Sequence, residues 1–220
     1  MFLAFAAAAA AAPAASPLSA QSVESTIDRA VAAWAKVNTG RGTFEQTVTN
    51  PLTGSTATAR GEYAQERPSR LAIRFTEGAS GSIVADGKAV WVYLPSSTPG
   101  QVIKRPGTDR SASPIDLTGQ FLDAPRAKYD IAAAGTLTID GHTARGLTLV
   151  PKKGATAPFT KAVVWVDDDD SLIRQFEVTE PSGVVRRIHL TTVRINAPVK
   201  RDEFSFKIPK GVTIVDQTTP

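Results

Sequence analysis

Few side chains in this sequence have the type and spacing that covalent chemistry needs. There are two histidines, His142 just after an Asp140-Gly141 pair and His189 inside an apolar alternation, and neither stands at ligand spacing from another His. The chain has no cysteine, which excludes thiolate nucleophiles, disulfides and thiolate metal centres. No Gly-x-Ser-x-Gly elbow, phosphate-cradling glycine loop or His-Glu-x-x-His helix occurs, so the corresponding hydrolase, nucleotide and zinc mechanisms lack their parts. The densest group of potential ligands is Asp167-Asp168-Asp169-Asp170, and clustered carboxylates suit calcium. A calcium loop starting at Asp167 needs Gly where Leu172 stands and Glu where Val178 stands, so it fails. The run reads instead as a solvated hairpin turn between Trp165-Val166 and Leu172-Ile173. A hydrolase built from a serine, His142 or His189 and an Asp has no motif behind it. The expectation is a protein that is not an enzyme and uses no metal or cofactor.

Binding is the chemistry that remains, and its candidate residues are apolar. After Arg67-Pro68, alternation places Leu71, Ile73 and Phe75 on one face of a strand. A second alternation from Ile83 to Tyr93 is broken by Asp86-Gly87, a strong hairpin sign. A two-residue turn there sets Ile83 opposite Val90, so Ile83, Val90 and Val92 share a face while Trp91 and Tyr93 point the other way. Leu71, Ile73, Phe75, Ile83, Val90 and Val92 are therefore expected to line a surface for something greasy, although the same pattern also fits plain core. At its rim, Pro68 restricts Arg67 to an extended backbone, and the guanidinium offers five donors in a planar fork. Arg67 reads as a latch, or as a surface residue paired with Glu62 or Glu66. The segment from Ser113 to Leu122 opens with a Ser-Pro helix start, and Ile115, Leu117, Phe121 and Leu122 are too apolar for a free loop. It is either a lid over the mouth of the sheet or a helix packed into an ordinary core.

One helix and many strands must position these groups. Val23, Ile27, Ala30, Val31 and Trp34 recur at helical spacing over residues 22–37, with Ser22 as N-cap and Gly40 beyond the end. Strands are expected at 43–49, 56–64, 70–76, 82–85, 88–94, 102–105, 129–133, 136–140, 145–150, 161–167, 173–179 and 184–195. Turn chemistry at Asn50-Pro51, Asp86-Gly87, Asp140-Gly141 and Pro181-Ser182-Gly183 separates several of them. Such spacing predicts a mainly β fold with an α lid, a strongly bent antiparallel sheet or unclosed barrel.

Length and composition, 220 residues with 42% hydrophobic and 21% charged, fit one globular domain over 21–220. Residues 1–20 hold an apolar run from Phe2 to Ala12 and then Leu18-Ser19-Ala20, which reads as a signal peptide and is too short to span a bilayer. Export is expected although no basic residue precedes the run. Without a cysteine there is no residue to carry a bacterial lipid anchor. The net charge of +4 allows attraction to acidic partners. Lys and Arg alternate with apolar residues along strands instead of gathering beside aromatics, so nucleic acid is not expected to bind.

Four pieces taken together resemble the LolA family, the periplasmic carriers of outer-membrane lipoproteins. They are Phe44-x-Gln46; Gly61-Glu62-Tyr63 leading to Arg67-Pro68; Asp86-Gly87-Lys88 with Trp91-Val92-Tyr93-x-Pro95; and Phe204-Ser205-Phe206-x-x-Pro209-x-Gly211-Val212. The family often carries more aromatic residues where this chain has Leu71-Ala72-Ile73. The resemblance implies an unclosed β-barrel lidded by helices, whose concave face holds acyl chains. It also implies that Arg67 closes the empty cavity by hydrogen bonds to the lid. Implied partners are acylated lipoproteins, an ATP-driven inner-membrane transporter that loads the carrier and an outer-membrane lipoprotein receptor that unloads it, with the carrier itself a monomer. A soluble periplasmic lipid-binding or lipoprotein-sensing protein on the same fold is the alternative.

Overall fold

The computed structural model of the protein describes residues 17–107 and 116–218, with side chains described from residue 22 onward. The segment 1–16, which holds most of the expected leader, and Ile115 of the expected lid lie outside the described residues. Helix α1 spans Pro17–Ala35 and so begins before the predicted N-cap at Ser22.

Twelve strands follow: β1 (Thr39–Thr49), β2 (Thr56–Glu66), β3 (Arg70–Glu77), β4 (Ser82–Asp86), β5 (Ala89–Tyr93), β6 (Gln101–Pro106), β7 (Tyr129–Ile139), β8 (His142–Pro151), β9 (Lys161–Asp167), β10 (Ile173–Thr179), β11 (Val185–Ile195) and β12 (Thr213–Asp216). They form one sheet in the order β12-β6-β5-β4-β3-β2-β1-β11-β10-β9-β8-β7, so β12 and β7 stand at its two ends. All neighbours are antiparallel except β12, which lies parallel to β6 and was not expected from the sequence. The strands predicted at 129–133 and 136–140 are one strand with an irregularity between Ala133 and Gly135.

The described part of the short helical piece expected up to Leu122 forms α2 (Gly119–Leu122), and a second short helix, α3 (Pro125–Lys128), follows beyond it. Both lie on the concave side with α1. There Ile27 and Ala30 of α1 and Phe121 of α2 are fully buried against Leu147, Leu149, Val164 and Val166 of the sheet. Phe121 lies 5.1 Å from Phe176 and 5.8 Å from Phe159, centroid to centroid. Burying each large apolar side chain contributes about 1.5–3 kcal/mol, which holds the helices down without special polar contacts. Among the described residues, no helix is long and apolar enough to cross a membrane.

The convex face of the other half of the sheet is covered by the C-terminal segment. Phe204 is buried against Ala64, Ala72 and Val84, and Phe206 stacks on Trp91 at 5.4 Å. Trp91 therefore points away from the concave face, as alternation predicts. Asp86-Gly87 does mark a hairpin, but the pairing is Ile83 with Val92 and Ala85 with Val90, not Ile83 with Val90. The two loop residues are Gly87 and Lys88, with Gly87 in first place at φ 95°, the primed turn that takes Gly there. The Asp86 carboxylate accepts the N–H groups of Lys88 and Ala89 at 2.7 and 2.8 Å and fixes that turn. A shift of two in pairing preserves parity, so Ile83, Val90 and Val92 still share one face.

Candidate functional site

Two neighbouring regions of the concave face carry the residues singled out from the sequence. On β3, β4 and β5, Leu71, Ala85 and Val90 form a buried cluster with Ile73, Ile83 and Val92 packed against it. Ile73 and Phe75 also touch the main core, where Phe75 meets Phe44 edge to face at 5.7 Å. Gly61 makes that approach possible, since a Cβ there would lie 2.7 Å from the Phe44 ring. The six predicted residues thus lie on one face of the sheet, where Leu71 and Val90 are almost fully buried. None of them lines the internal cavity.

That cavity, of about 40 Å³, lies between the helices and β1, β2, β10 and β11. Trp34 near the end of α1 and Val37 just beyond it, Leu117 before α2 and Leu122 within it, and Leu190 and Val193 of β11 make most of its apolar wall. Of the predicted lid, Leu117 and Leu122 face the cavity and Phe121 is sunk in the core. Tyr63 and Gln65 of β2 also line it, opposite Ile73 and Leu71 across the β2–β3 ladder.

Arg67 sits where these pieces meet. Its Nη1 donates to the backbone oxygens of Trp34 and Val37, each at 3.0 Å, and its guanidinium carbon lies 3.9 Å from the centre of the Trp34 ring. Its Nε is 3.4 Å from Oδ2 of Asp116. It is not paired with Glu66, which Arg70 holds at 2.7 Å. Asp116 is a hub that sequence reading did not single out. Its Oδ2 accepts the Trp34 indole N–H at 2.9 Å, and its Oδ1 accepts the backbone N–H groups of Gly119 at 2.8 Å and Thr118 at 3.3 Å. One carboxylate therefore shapes the start of α2 and ties it to α1 and to Arg67. The sign available in the sequence was an Asp two and three residues ahead of the N–H groups it takes, a common turn device.

The aspartate run is a hairpin turn as expected, but it is not simply solvated. Asp167 has a fully buried side chain whose Oδ2 lies 2.8 Å from Arg174 Nε and 3.1 Å from His142 Nδ1. Burial pushes its carboxyl upward, yet the Asp169 N–H, Arg174 and His142 outweigh that and hold it below the usual range. Asp168 pairs with Arg145 at 2.7 Å and with Arg29 of α1 at 3.2 Å, and these hold it below the usual range, Arg145 foremost. His142, Asp167 and Asp169 offer ligand atoms within 4.8 Å of one another, but Arg174 already places a cation at the Asp167 oxygen. The arrangement is an ion-pair network that ties α1 and β8 to the β9–β10 turn. His189 is likewise engaged, 2.7 Å from Asp140.

Residues 35–207 match the family model described as outer membrane lipoprotein carrier protein LolA. The chain belongs to the LolA family. It is 28% identical over 193 residues to the outer-membrane lipoprotein carrier protein of Methylibium petroleiphilum, covering 87% of this chain and 89% of that one. It is 30% identical over 174 residues to the carrier of the same description from Aeromonas salmonicida, covering 79% and 80%. Among solved structures, a conserved protein from Thermus thermophilus superposes with a TM-score of 0.52 at 14% identity, over 90% of this chain and all of that one. That likeness concerns the fold. In this LolA-family chain the cavity, Trp34, Asp116 and the Arg67 bonds all fall at the junction of helices and sheet.

Proposed function

We propose that the protein is a periplasmic carrier that takes up the acyl chains of lipoproteins released from the inner membrane and hands them to a receptor at the outer membrane. The observation that carries this reading is the apolar cavity under α1 and α2, beside which Arg67 bonds the carbonyls of the lining residues Trp34 and Val37, in a chain of the LolA family. At about 40 Å³ the cavity has room for little more than water, so the empty form is shut and must open to admit a chain. Opening would lift α1 and α2 and join the cavity to the strip of Leu71, Ile73, Phe75, Ile83, Val90 and Val92 beside it. Leu117, Phe121 and Leu122 would form the moving lid, and Arg67 would hold it closed.

The energetic need is large. Exposing the dozens of methylenes of a lipoprotein anchor to water costs on the order of 20 to 30 kcal/mol at ~0.8 kcal/mol each. A shell that shields them removes most of that barrier, and loading energy comes from an ATP-driven inner-membrane transporter. The test is release from spheroplasts. Added protein is expected to bring newly made outer-membrane lipoproteins into the supernatant as a complex, and lipoproteins that stay on the spheroplasts would contradict the reading.

A further inference from the structure

The cavity wall carries two polar groups for which the protein provides no use. Tyr63 and Gln65 are 6% and 5% exposed, line the same cavity and lie two residues apart on β2. Among the described residues, no hydrogen bond engages the Tyr63 hydroxyl or the Gln65 amide, and since only the Trp165 indole nitrogen is both fully buried and unpartnered, these two polar ends keep some accessible surface on the cavity wall. Thr26, by contrast, donates to the Ser22 carbonyl at 2.7 Å. Small-molecule cavities are typically apolar with a few polar groups that fix orientation. Burial also pushes the Tyr63 phenol well above its usual range, so it stays a protonated donor at any physiological pH.

We propose that Tyr63 and Gln65 form a carbonyl-binding subsite for the ester or amide groups at the head of the acyl chains. The hydroxyl and the amide NH2 would donate to these carbonyls. This deepens the carrier reading and rests on it. The position supports the assignment. Gln65 stands opposite Leu71 and Tyr63 opposite Ile73, while their other side meets Trp34, Leu117 and Leu122. A linker held at the pair would send one chain under the helices and another along β3 to β5.

The test uses a synthetic diacylated cysteinyl lipopeptide with ester links and its ether-linked analogue, which has the same chains and no ester carbonyls. The wild-type protein is expected to bind the ester form about ten-fold more tightly, the scale of one or two neutral hydrogen bonds. Tyr63→Phe and Gln65→Leu are each expected to shrink that preference while leaving the ether form bound as before. The empty variants are expected to melt close to the wild-type temperature, because each loses a polar group that makes no hydrogen bond within the protein. Equal binding of ester and ether by the wild type, or an unchanged preference in both variants, would overturn the subsite. So would a fall in melting temperature of the empty variants with the preference intact, which would make the pair structural. A diester phospholipid with the same variant dependence would support the subsite and extend it beyond lipoproteins. Failure of the wild type to bind either lipopeptide would instead strike the carrier reading itself.

Discussion

Replacing Arg67 with Leu removes four contacts at once and leaves the fold's apolar anchors in place. The lost contacts are the two 3.0 Å bonds to the Trp34 and Val37 carbonyls, the stacking at 3.9 Å and the 3.4 Å pairing with Asp116. Hydrogen bonds from a charged donor contribute about 1.5–3 kcal/mol each and the cation–π contact about 0.5–2. The ion pair, 28% and 17% exposed, adds about 1 at most. These overlap, since one guanidinium makes them all, and about 3–4 kcal/mol is a fair total. That shifts the closed-to-open balance by roughly two to three powers of ten. Helix α1 remains held by Ile27 and Ala30, both fully buried, so the variant is expected to fold. Loaded Arg67→Leu protein is expected to keep its lipoprotein and transfer it poorly to receptor-bearing vesicles, because the force that recloses the cavity and expels the chains is gone. In the empty variant, amide exchange at residues 34–38 and 117–122 is expected to speed up by a similar factor. A folded variant with wild-type transfer and wild-type exchange would refute the latch.

Asp116→Asn keeps an oxygen for the Thr118 and Gly119 N–H groups but disrupts the bond from the Trp34 indole, so the lid is expected to open about ten-fold more often. The Trp34 indole 15N–1H resonance checks this, since it should move in the empty variant toward its position in loaded wild type. Leu71→Glu is expected to cost several kcal/mol and lower the melting temperature sharply, because Leu71 is only 1% exposed even in the closed form. A normal thermal melt would show that Leu71 is not packed as described. Asp167→Asn removes one of the two carboxylates on Arg174, the 2.6 Å pairing with Asp170 remaining, and is expected to cost about 1–2 kcal/mol by urea unfolding. Asp167 and Asp168 both titrate lower folded than unfolded. The stability they contribute is therefore complete above about pH 4 and is lost as pH falls through their folded values, and Asp168→Asn should flatten that acid limb.

Period-two alternation carries most of what can be read from the chain. It assigns Leu71, Ile73 and Phe75 to one face and Trp91 to the other, because side chains on a pleated strand have no third choice. Turn residues place the hairpins but not always their centre, and at Asp86-Gly87 it is the Asp86 side chain that moves the pairing by two. Contacts between distant segments leave no periodic trace. Trp34 looks like a core residue of an amphipathic helix, and only the fold brings Asp116 and Arg67 to it from 82 and 33 residues away. Tyr63 and Gln65 share a face with Gly61 by the same alternation. That the face is a cavity wall depends on helices whose positions the strand pattern does not specify. Strand β12 is four residues long and pairs parallel with β6, where neither length nor a tight turn gives it away.

The central claim is that this cavity opens to hold lipoprotein acyl chains. Native mass spectrometry of the protein taken from the periplasm of cells making lipoproteins tests it most directly. The account predicts one bound acylated lipoprotein per carrier, more of it on Arg67→Leu than on wild type. Protein that is uniformly empty in both forms would contradict it.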